Sequence, residues 1–360
     1  MTLFYYIEQT KSLPYIEYYK NIVYDKATMT RDKVLAMILK GDGFVSGESI
    51  SRELGITRAA VNAAVKQLKE QGYEIESSTR KGYRLISSPN IITEGELLAR
   101  LPSDRSGEIH ALVTVDSTNT ALKEYARNGA ATGTVVLSDE QTGGKGRRGR
   151  GFVSPSGCGI YLSYLMRPEG GRGNISEITA WTAVAVRDAI TEVCGVTCDI
   201  KWVNDLLINK HKICGILTEL SVVAESGEID NVIIGIGINV NQKASDFPAE
   251  LSDVATSISA ECGGKIFSRA ELAACIINSL DALCEGWPSA KDGYLAKYRE
   301  ACITAGTEVS VNNLADKKSR TGKAVMINDD FSLQVRFDDT GAEERVNSGE
   351  VSVRGLYGYT

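Results

Sequence analysis

Histidine is nearly missing from this chain, with only His110 and His211 among 360 residues. The eight cysteines are scattered, Cys194 and Cys198 are the closest pair, and no C-x-x-C occurs. A zinc site or a disulfide framework is therefore not expected, and free buried thiols are. Long apolar runs are absent too: none reaches the roughly 18 residues that cross a bilayer. The N-terminus has no charged region leading into an apolar stretch, so a cytoplasmic protein is expected. Excess positive charge is also lacking, the formal net charge being −6. General affinity for nucleic acid is not expected, and any DNA binding must come from a local patch. No internal repeat or low-complexity tract is visible.

What remains is ordinary soluble composition, 43% hydrophobic and 24% charged, in a chain long enough for two or three domains. Residues 1–28 are rich in tyrosine without a clear period, and read as a poorly packed extension or a misassigned start ahead of Met29. From Arg31, the apolar residues Val34, Leu35, Ile38 and Leu39 recur at helical spacing until Gly41–Gly43. A short helix capped by Ser46, with Ile50 and Leu54 inward, ends at the Gly55 turn. A third helix, capped by Thr57, buries Val61, Val65 and Leu68, which leaves Arg58, Asn62, Lys66 and Lys69 on the opposite face. Alternation around Arg80, Lys81 and Gly82 then gives a basic wing. The pattern predicts a winged helix-turn-helix over 29–88, with Thr57, Arg58, Asn62, Lys66, Arg80 and Lys81 facing DNA. Solvated lysines on a small helical unit are the bland alternative.

After a linker at Ser87–Asn90, strands and helices alternate over 89–304. VVLSDE, GIYLSYLM, CDIKW and NVIIGIGINV read as strands and Ile175–Val193 as a long helix, which predicts an α/β (α+β) domain with a mixed sheet backed by helices. From 305 to 360 short alternating strands separated by turn residues predict a small β-barrel.

The most informative segment is QTGGKGRRGRGF, in which Gly143, Gly144, Gly146, Gly149 and Gly151 interleave with Lys145, Arg147, Arg148 and Arg150. Glycine lets backbone approach a ligand, and clustered cations offset phosphate charge. The spacing is not that of a P-loop. Mutual repulsion and glycine entropy predict mobility until an anion binds; an RNA patch or a solvated turn fits the loop equally well. Further segments are Lys201-Trp-Val-Asn-Asp at a sheet edge, HKICGILTEL as a returning strand, and IIGIGINVN, which places Asn239 after a G-x-G turn but lacks the third glycine of a dinucleotide site. In VTVDSTNTALKEYARNG, Ser117, Thr118 and Asn119 stand at a helix start, suited either to a small polar head group or to ordinary N-capping.

D-S-T-N, G-x-G-R-R-G-R, K-W-x-N-D, G-I-L-x-E and G-I-G-I-N, in that order, resemble the biotin protein ligases, and the N-terminal module resembles their bifunctional subclass, the biotin operon repressors. The resemblance runs from about Arg31 to Arg354. It implies a catalytic domain of the biotin/lipoate ligase type and an SH3-like C-terminal barrel. The substrates implied are biotin and ATP, with Mg²⁺ accompanying ATP; no metal site belonging to the protein is expected. The biotin carboxylate attacks the α-phosphate, pyrophosphate leaves, and a lysine of a biotin carboxyl carrier protein then takes the biotinyl group. Carried over by position, Ser117, Thr118, Asn119 and Gln141 hold the head group; Lys145, Gly146 and Arg147 lie over carboxylate and phosphate; Lys201 is the principal catalytic cation, with Arg147 also catalytic. Asn239, Phe152, Glu350 and Arg354 face the nucleotide. In the repressor subclass, bound biotinyl-AMP favours a homodimer on operator DNA, and the strand around Lys212–Leu220 is the expected pairing edge. This chain departs from the family pattern in having Val203 for a common proline, Lys145 for a common arginine and Phe152 for a tryptophan. Lysine keeps the charge but loses the guanidinium fork, and phenylalanine keeps an aromatic face. A lipoate ligase and a non-catalytic biotin-sensing transcription factor are the rival readings.

Overall fold

The computed structural model describes residues 26–168, 175–222, 228–313, 318–348 and 351–355. Of the expected extension over 1–28, residues 1–25 lie outside this range, as does Glu350. The described residues form a two-stranded, a seven-stranded and a five-stranded sheet.

The first part is α1 (Lys26–Lys40), α2 (Gly47–Leu54), α3 (Arg58–Glu70) and the hairpin β1 (Glu74–Ser78) and β2 (Gly82–Ser87). Val34, Leu35, Ile38, Ile50, Val61, Val65 and Leu68 meet in one core closed by Tyr73 and Ile75. Helix α1 starts at Lys26, ahead of the apolar period that begins after Arg31. The Ser46 hydroxyl accepts from Glu48 N and Ser49 N, and Gly55 ends α2 at φ +63°, the left-handed conformation that favours glycine. Thr57 caps α3 by accepting from Ala60 N at 3.1 Å. Backbone exchange between Val45 and Tyr83, at 2.7 and 2.9 Å, ties the wing to the segment before α2. Helix α4 (Glu94–Arg100) crosses α1 at Gly95, where a Cβ would lie 2.7 Å from Asp32 O.

The central sheet contains β3 (Ile109–Val115), β4 (Val135–Gln141), β5 (Gly159–Met166), β6 (Asp199–Lys201), β7 (Asp205–Ile208), β8 (His211–Val222) and β9 (Ile229–Asn239). Its order is β3-β4-β5-β9-β8-β7-β6, with β3 and β4 parallel and the other pairs antiparallel. Helices α5 (Thr118–Arg127), α6 (Ile175–Cys194), α7 (Arg269–Gly286) and α8 (Lys291–Ala301) pack around it. Because successive side chains of a strand point to opposite faces, the sheet separates two environments. Val135, Leu137, Ile160, Leu162, Ile234, Ile236 and Ile238 enter the large core with Trp181 and Leu280. Val136, Leu165 and Ile233 enter a smaller cluster with Leu122 and Tyr125 of α5.

The G-I-G segment expected to make a turn is instead the middle of β9: Gly235 and Gly237 pair with Ser163 and Tyr161 of β5 and with Leu217 and Gly215 of β8. The edge expected over Lys212–Leu220 is also revised. The stretch His211–Gly215 is covered by β7, and Lys212 bridges Ala255 as well, so that among the described residues the second side of β8 lacks a strand only beyond Ile216.

The C-terminal sheet contains β10 (Glu308–Asn313), β11 (Ser319–Ile327), β12 (Leu333–Phe337), β13 (Glu343–Val346) and β14 (Val351–Gly355), ordered β13-β12-β11-β10-β14 and antiparallel throughout. This antiparallel sheet is the small β unit expected, and among the described residues no pairing joins β13 to β14. It is fastened to the central sheet by Trp202 Nε1 donating to Phe331 O at 2.8 Å. No helix of the described residues is long and apolar enough to cross a membrane.

Candidate active site

Two adjoining clefts open over the glycine-bearing face of the central sheet. The narrower, of about 460 Å³, is lined by Ser117, Thr118, Asn119, Gln141, Leu217 and Gly235 among others. The wider, of about 1230 Å³, is lined by Arg148, Lys201, Trp202, Asn239, Val254 and Val353 among others. Gly146, Arg147, Phe152, Asn204 and Lys212 border both.

The floor is flat because β9 carries no side chain there. A Cβ on Gly237 would lie 2.6 Å from the Phe152 ring, and one on Gly235 would overlap the Asn119 carboxamide. Glycine is required at both positions for close approach, although each weakens a strand.

Ser117 occupies the N-cap position of α5 yet makes no capping hydrogen bond, and it is 2% exposed. Its hydroxyl remains able to donate or accept in the narrow cleft. Thr118 and Gln141 are fixed against each other: Thr118 N donates to Gln141 Oε1 at 2.9 Å, and Gln141 Nε2 donates to Ser154 Oγ at 2.9 Å. Asn119 lines the cleft, but both ends of its carboxamide are engaged by protein, Oδ1 by Ser163 at 2.5 Å and Nδ2 by Glu219 at 2.8 Å. Asn119, expected to contact the head group, thus lines the cleft with its carboxamide held by Ser163 and Glu219.

The basic loop is folded on itself. Gly146 N donates to Arg150 O at 2.7 Å and Phe152 N to Gly144 O at 2.9 Å, while Arg148 takes a left-handed φ of +64°. Lys145 Nζ donates to Thr120 Oγ1 at 2.7 Å. Arg147 donates to Asn204 Oδ1 at 2.7 Å and to Ser348 O at 2.5 Å, which links the loop to the K-W-x-N-D segment and the C-terminal sheet. Burial draws the Arg147 guanidinium below its ordinary value, with the Asp205 charge opposing.

Lys201, 9% exposed at the end of edge strand β6, borders the wider cleft only. The lysine at the junction is Lys212: it borders both clefts, pairs with Asp205 Oδ1 at 2.7 Å, and runs its stem 3.1 Å from where a Gly215 Cβ would be. The sequence reading missed Lys212 as a site residue. The available signal was K-I-C-G: a glycine placed three residues on leaves room for the lysine's own stem. Asn239 is 5% exposed, donates to Thr256 O at 3.0 Å and accepts from Gln242 Nε2 at 3.3 Å. Phe152 forms the wall between the clefts. Arg354 is paired through its backbone with Ser310, and its side chain is outside the described residues.

On the winged module, Thr57, Arg58, Asn62, Lys66, Arg80 and Lys81 are all exposed. Tyr83, which the sequence reading left out, hydrogen-bonds Asn62, and Phe44 receives Lys81 and Arg84 at 5.5 and 4.8 Å from its ring centre.

Residues 111–239 match the biotin/lipoate A/B protein ligase family, and residues 30–84 match an HTH domain. The chain is 42% identical to the bifunctional ligase/repressor BirA of Bacillus subtilis over 243 residues, 67% of this chain and 74% of that protein. It is 30% identical to the protein of the same name from Escherichia coli over 208 residues, 58% of this chain and 63% of that one. Among solved structures, the biotin protein ligase of Aquifex aeolicus in complex with biotin and ATP superposes with a TM-score of 0.60 at 29% identity, covering 69% of this chain and 99% of that one. The chain belongs to the biotin/lipoate A/B protein ligase family, in its bifunctional ligase/repressor branch.

Proposed function

We propose that this chain activates biotin with ATP to biotinyl-AMP, transfers biotin to a lysine of a biotin carboxyl carrier protein, and represses transcription through its winged module when biotinyl-AMP stays bound. The observation that carries the reading is the pair of clefts meeting at Lys212 and Arg147. A reaction joining an acid to a nucleotide needs a cation common to both sites, since charge builds where the carboxylate oxygen meets the α-phosphorus.

The narrow cleft takes the biotin head group, with Ser117, Thr118 and Gln141 as its polar contacts. The wider one takes ATP, with Lys201, Asn239 and Phe152 along it; the family resemblance adds Glu350 and Arg354 as nucleotide contacts. The donor set fits both substrates: a buried serine lining the narrow cleft, and, among the described residues of the wider one, arginines and lysines with Asp205 as the lone carboxylate. Mg²⁺ arrives with the triphosphate. In the first step carboxylate oxygen bonds to the α-phosphorus and pyrophosphate leaves; in the second a lysine amine attacks the acyl carbon and AMP leaves. The chain's work is positioning and charge stabilisation. Lys212, held by Asp205, is assigned the principal cation, with Lys201 assisting along the nucleotide.

Repression follows the family's logic in the cytoplasm. The arginine-rich loop closes on biotinyl-AMP, two chains pair along the uncovered part of β8 beyond Ile216, and the paired wings and recognition helices meet operator DNA. The domain limits that go with it are 29–88, 89–304 and 305–360. Biotin-dependent ATP–pyrophosphate exchange without acceptor protein, with lipoate as the control acid, tests the enzyme. Exchange with lipoate but not biotin transfers the assignment to lipoate ligation, and exchange with neither leaves a sensor.

A further inference from the structure

Glu219 lies on β8 outside both clefts, yet it ends a hydrogen-bond chain that reaches into the narrow one. The chain has a fixed direction. A carboxylate only accepts, so the Asn119 amide must turn Nδ2 to Glu219 Oε2, at 2.8 Å, and Oδ1 to Ser163 Oγ, at 2.5 Å. An amide oxygen also only accepts, so the single proton of Ser163, which is 0% exposed, belongs to Asn119. Thr118 Oγ1 stands 2.8 Å from the same Ser163 oxygen and 3.2 Å from Gln141 Oε1. Whichever of these takes the Thr118 proton, that proton is held by protein. The Thr118 hydroxyl thus presents lone pairs to the cleft, beside the accepting Gln141 Oε1.

We propose that Glu219 is a positioning residue that sets the hydrogen-bond polarity of the narrow cleft through Asn119 and Ser163, so that the cleft selects an acid whose head group donates N–H. This rests on the biotin reading above: a cyclic urea offers N–H groups to these acceptors, whereas a dithiolane ring offers none and leaves the buried Thr118 lone pairs unpaired, while Gln141 Oε1 keeps its bond from Thr118 N. The carboxylate is suited to the task because Lys123 Nζ stands 2.7 Å from its other oxygen. Burial raises the Glu219 carboxyl, but the bonds from Lys123 and Asn119 and the charges of Lys123 and Lys145 outweigh it and hold the group below its ordinary value. A neutral amide in its place has a weaker preference, and the orientation of Asn119 is then held only by the longer bond from Nδ2 to Leu217 O, at 3.4 Å, and by Ser163.

The test is biotin-dependent ATP–pyrophosphate exchange by the full chain, comparing wild type with Glu219→Gln and Ser163→Ala. Two acids are used, biotin and biotin methylated on its ureido nitrogens. Both variants are expected to raise the KM for biotin about tenfold, equivalent to roughly 1.4 kcal/mol, to leave the KM for ATP within about twofold, and to narrow the preference for biotin over its methylated analogue. The two variants cut the chain at different points, one removing charge and the other only a hydroxyl. An unchanged biotin KM in both, or a parallel rise in the KM for ATP, overturns the relay while the enzymatic assignment stands. Absence of exchange in wild type overturns that assignment and the selectivity built on it.

Discussion

Two regions of this molecule cluster basic residues, and they are built differently. On the winged module Arg58, Lys66, Arg80 and Lys81 stand in solvent; Lys66 is 80% exposed, with its nearest acidic partner, Glu70, 3.9 Å away. In the catalytic clefts, Arg147, Lys201 and Lys212 are partly or wholly buried and tied to Asn204, Ser348 and Asp205 at 2.5–2.7 Å where those bonds are described. Exposed, loosely held cations give affinity through counterion release and tolerate imprecision. Buried, pre-aligned cations stabilise charge at one point, and lose their value when displaced.

The sharpest way to break this contrast is Lys212→Ala. Removing a pre-aligned charge at the junction is expected to lower ATP–pyrophosphate exchange by about 10²–10³-fold, more than Lys201→Ala does; the reverse ranking in the same assay would return the principal role to Lys201. Gly235→Ala comes next. Its Cβ overlaps the Asn119 carboxamide, and forced overpacking of this kind costs about 1–3 kcal/mol, read as weaker biotin binding by calorimetry with the DNA-binding module still folded. Arg58→Ala should act only on the other side of the comparison: operator affinity falls, the slope of log K against log salt flattens by roughly 0.9, and exchange activity is unchanged. A drop in exchange would show that the regions are not independent.

The smallest effect belongs to the joint between the regions. Burial, with the Glu108 charge adding to it and the Ala111 hydrogen bond opposing, pushes the Glu94 carboxyl up to about 7. A carboxyl raised on folding favours the folded state while protonated. That contribution is complete below the ordinary value of 4.5 and is lost as pH rises through about 7. Glu94→Gln should therefore flatten the fall of the melting midpoint across this window, by roughly a few degrees; a wild-type midpoint independent of pH there would refute it.

The winged module was largely legible because its evidence is local: Ser46, Gly55 and Thr57 act within their own turns, and Val61, Val65 and Leu68 mark one helical face. The alternating apolar strands of the central sheet were legible for the same reason. The catalytic clefts were legible in their parts only. Ser117 stands at the cap position but makes no side-chain capping bond; Gly235 and Gly237 look like a turn and lie in mid-strand. A glycine pair reads the same whether it bends the chain or clears a floor, and the difference depends on which side chains arrive from elsewhere.

The sequence by itself determined the winged helix, the mixed sheet, the arginine-rich loop and the family to which they belong, because periodicity, caps and motif order are written along the chain. Tertiary structure alone decided that Lys212 stands at the junction of the clefts, that Asn119 faces Glu219 and Ser163, and that among the described residues β8 is open only beyond Ile216. These depend on strand order and register, which place Asn119 and Glu219, 100 residues apart, within a hydrogen bond of each other, and no local preference encodes that distance.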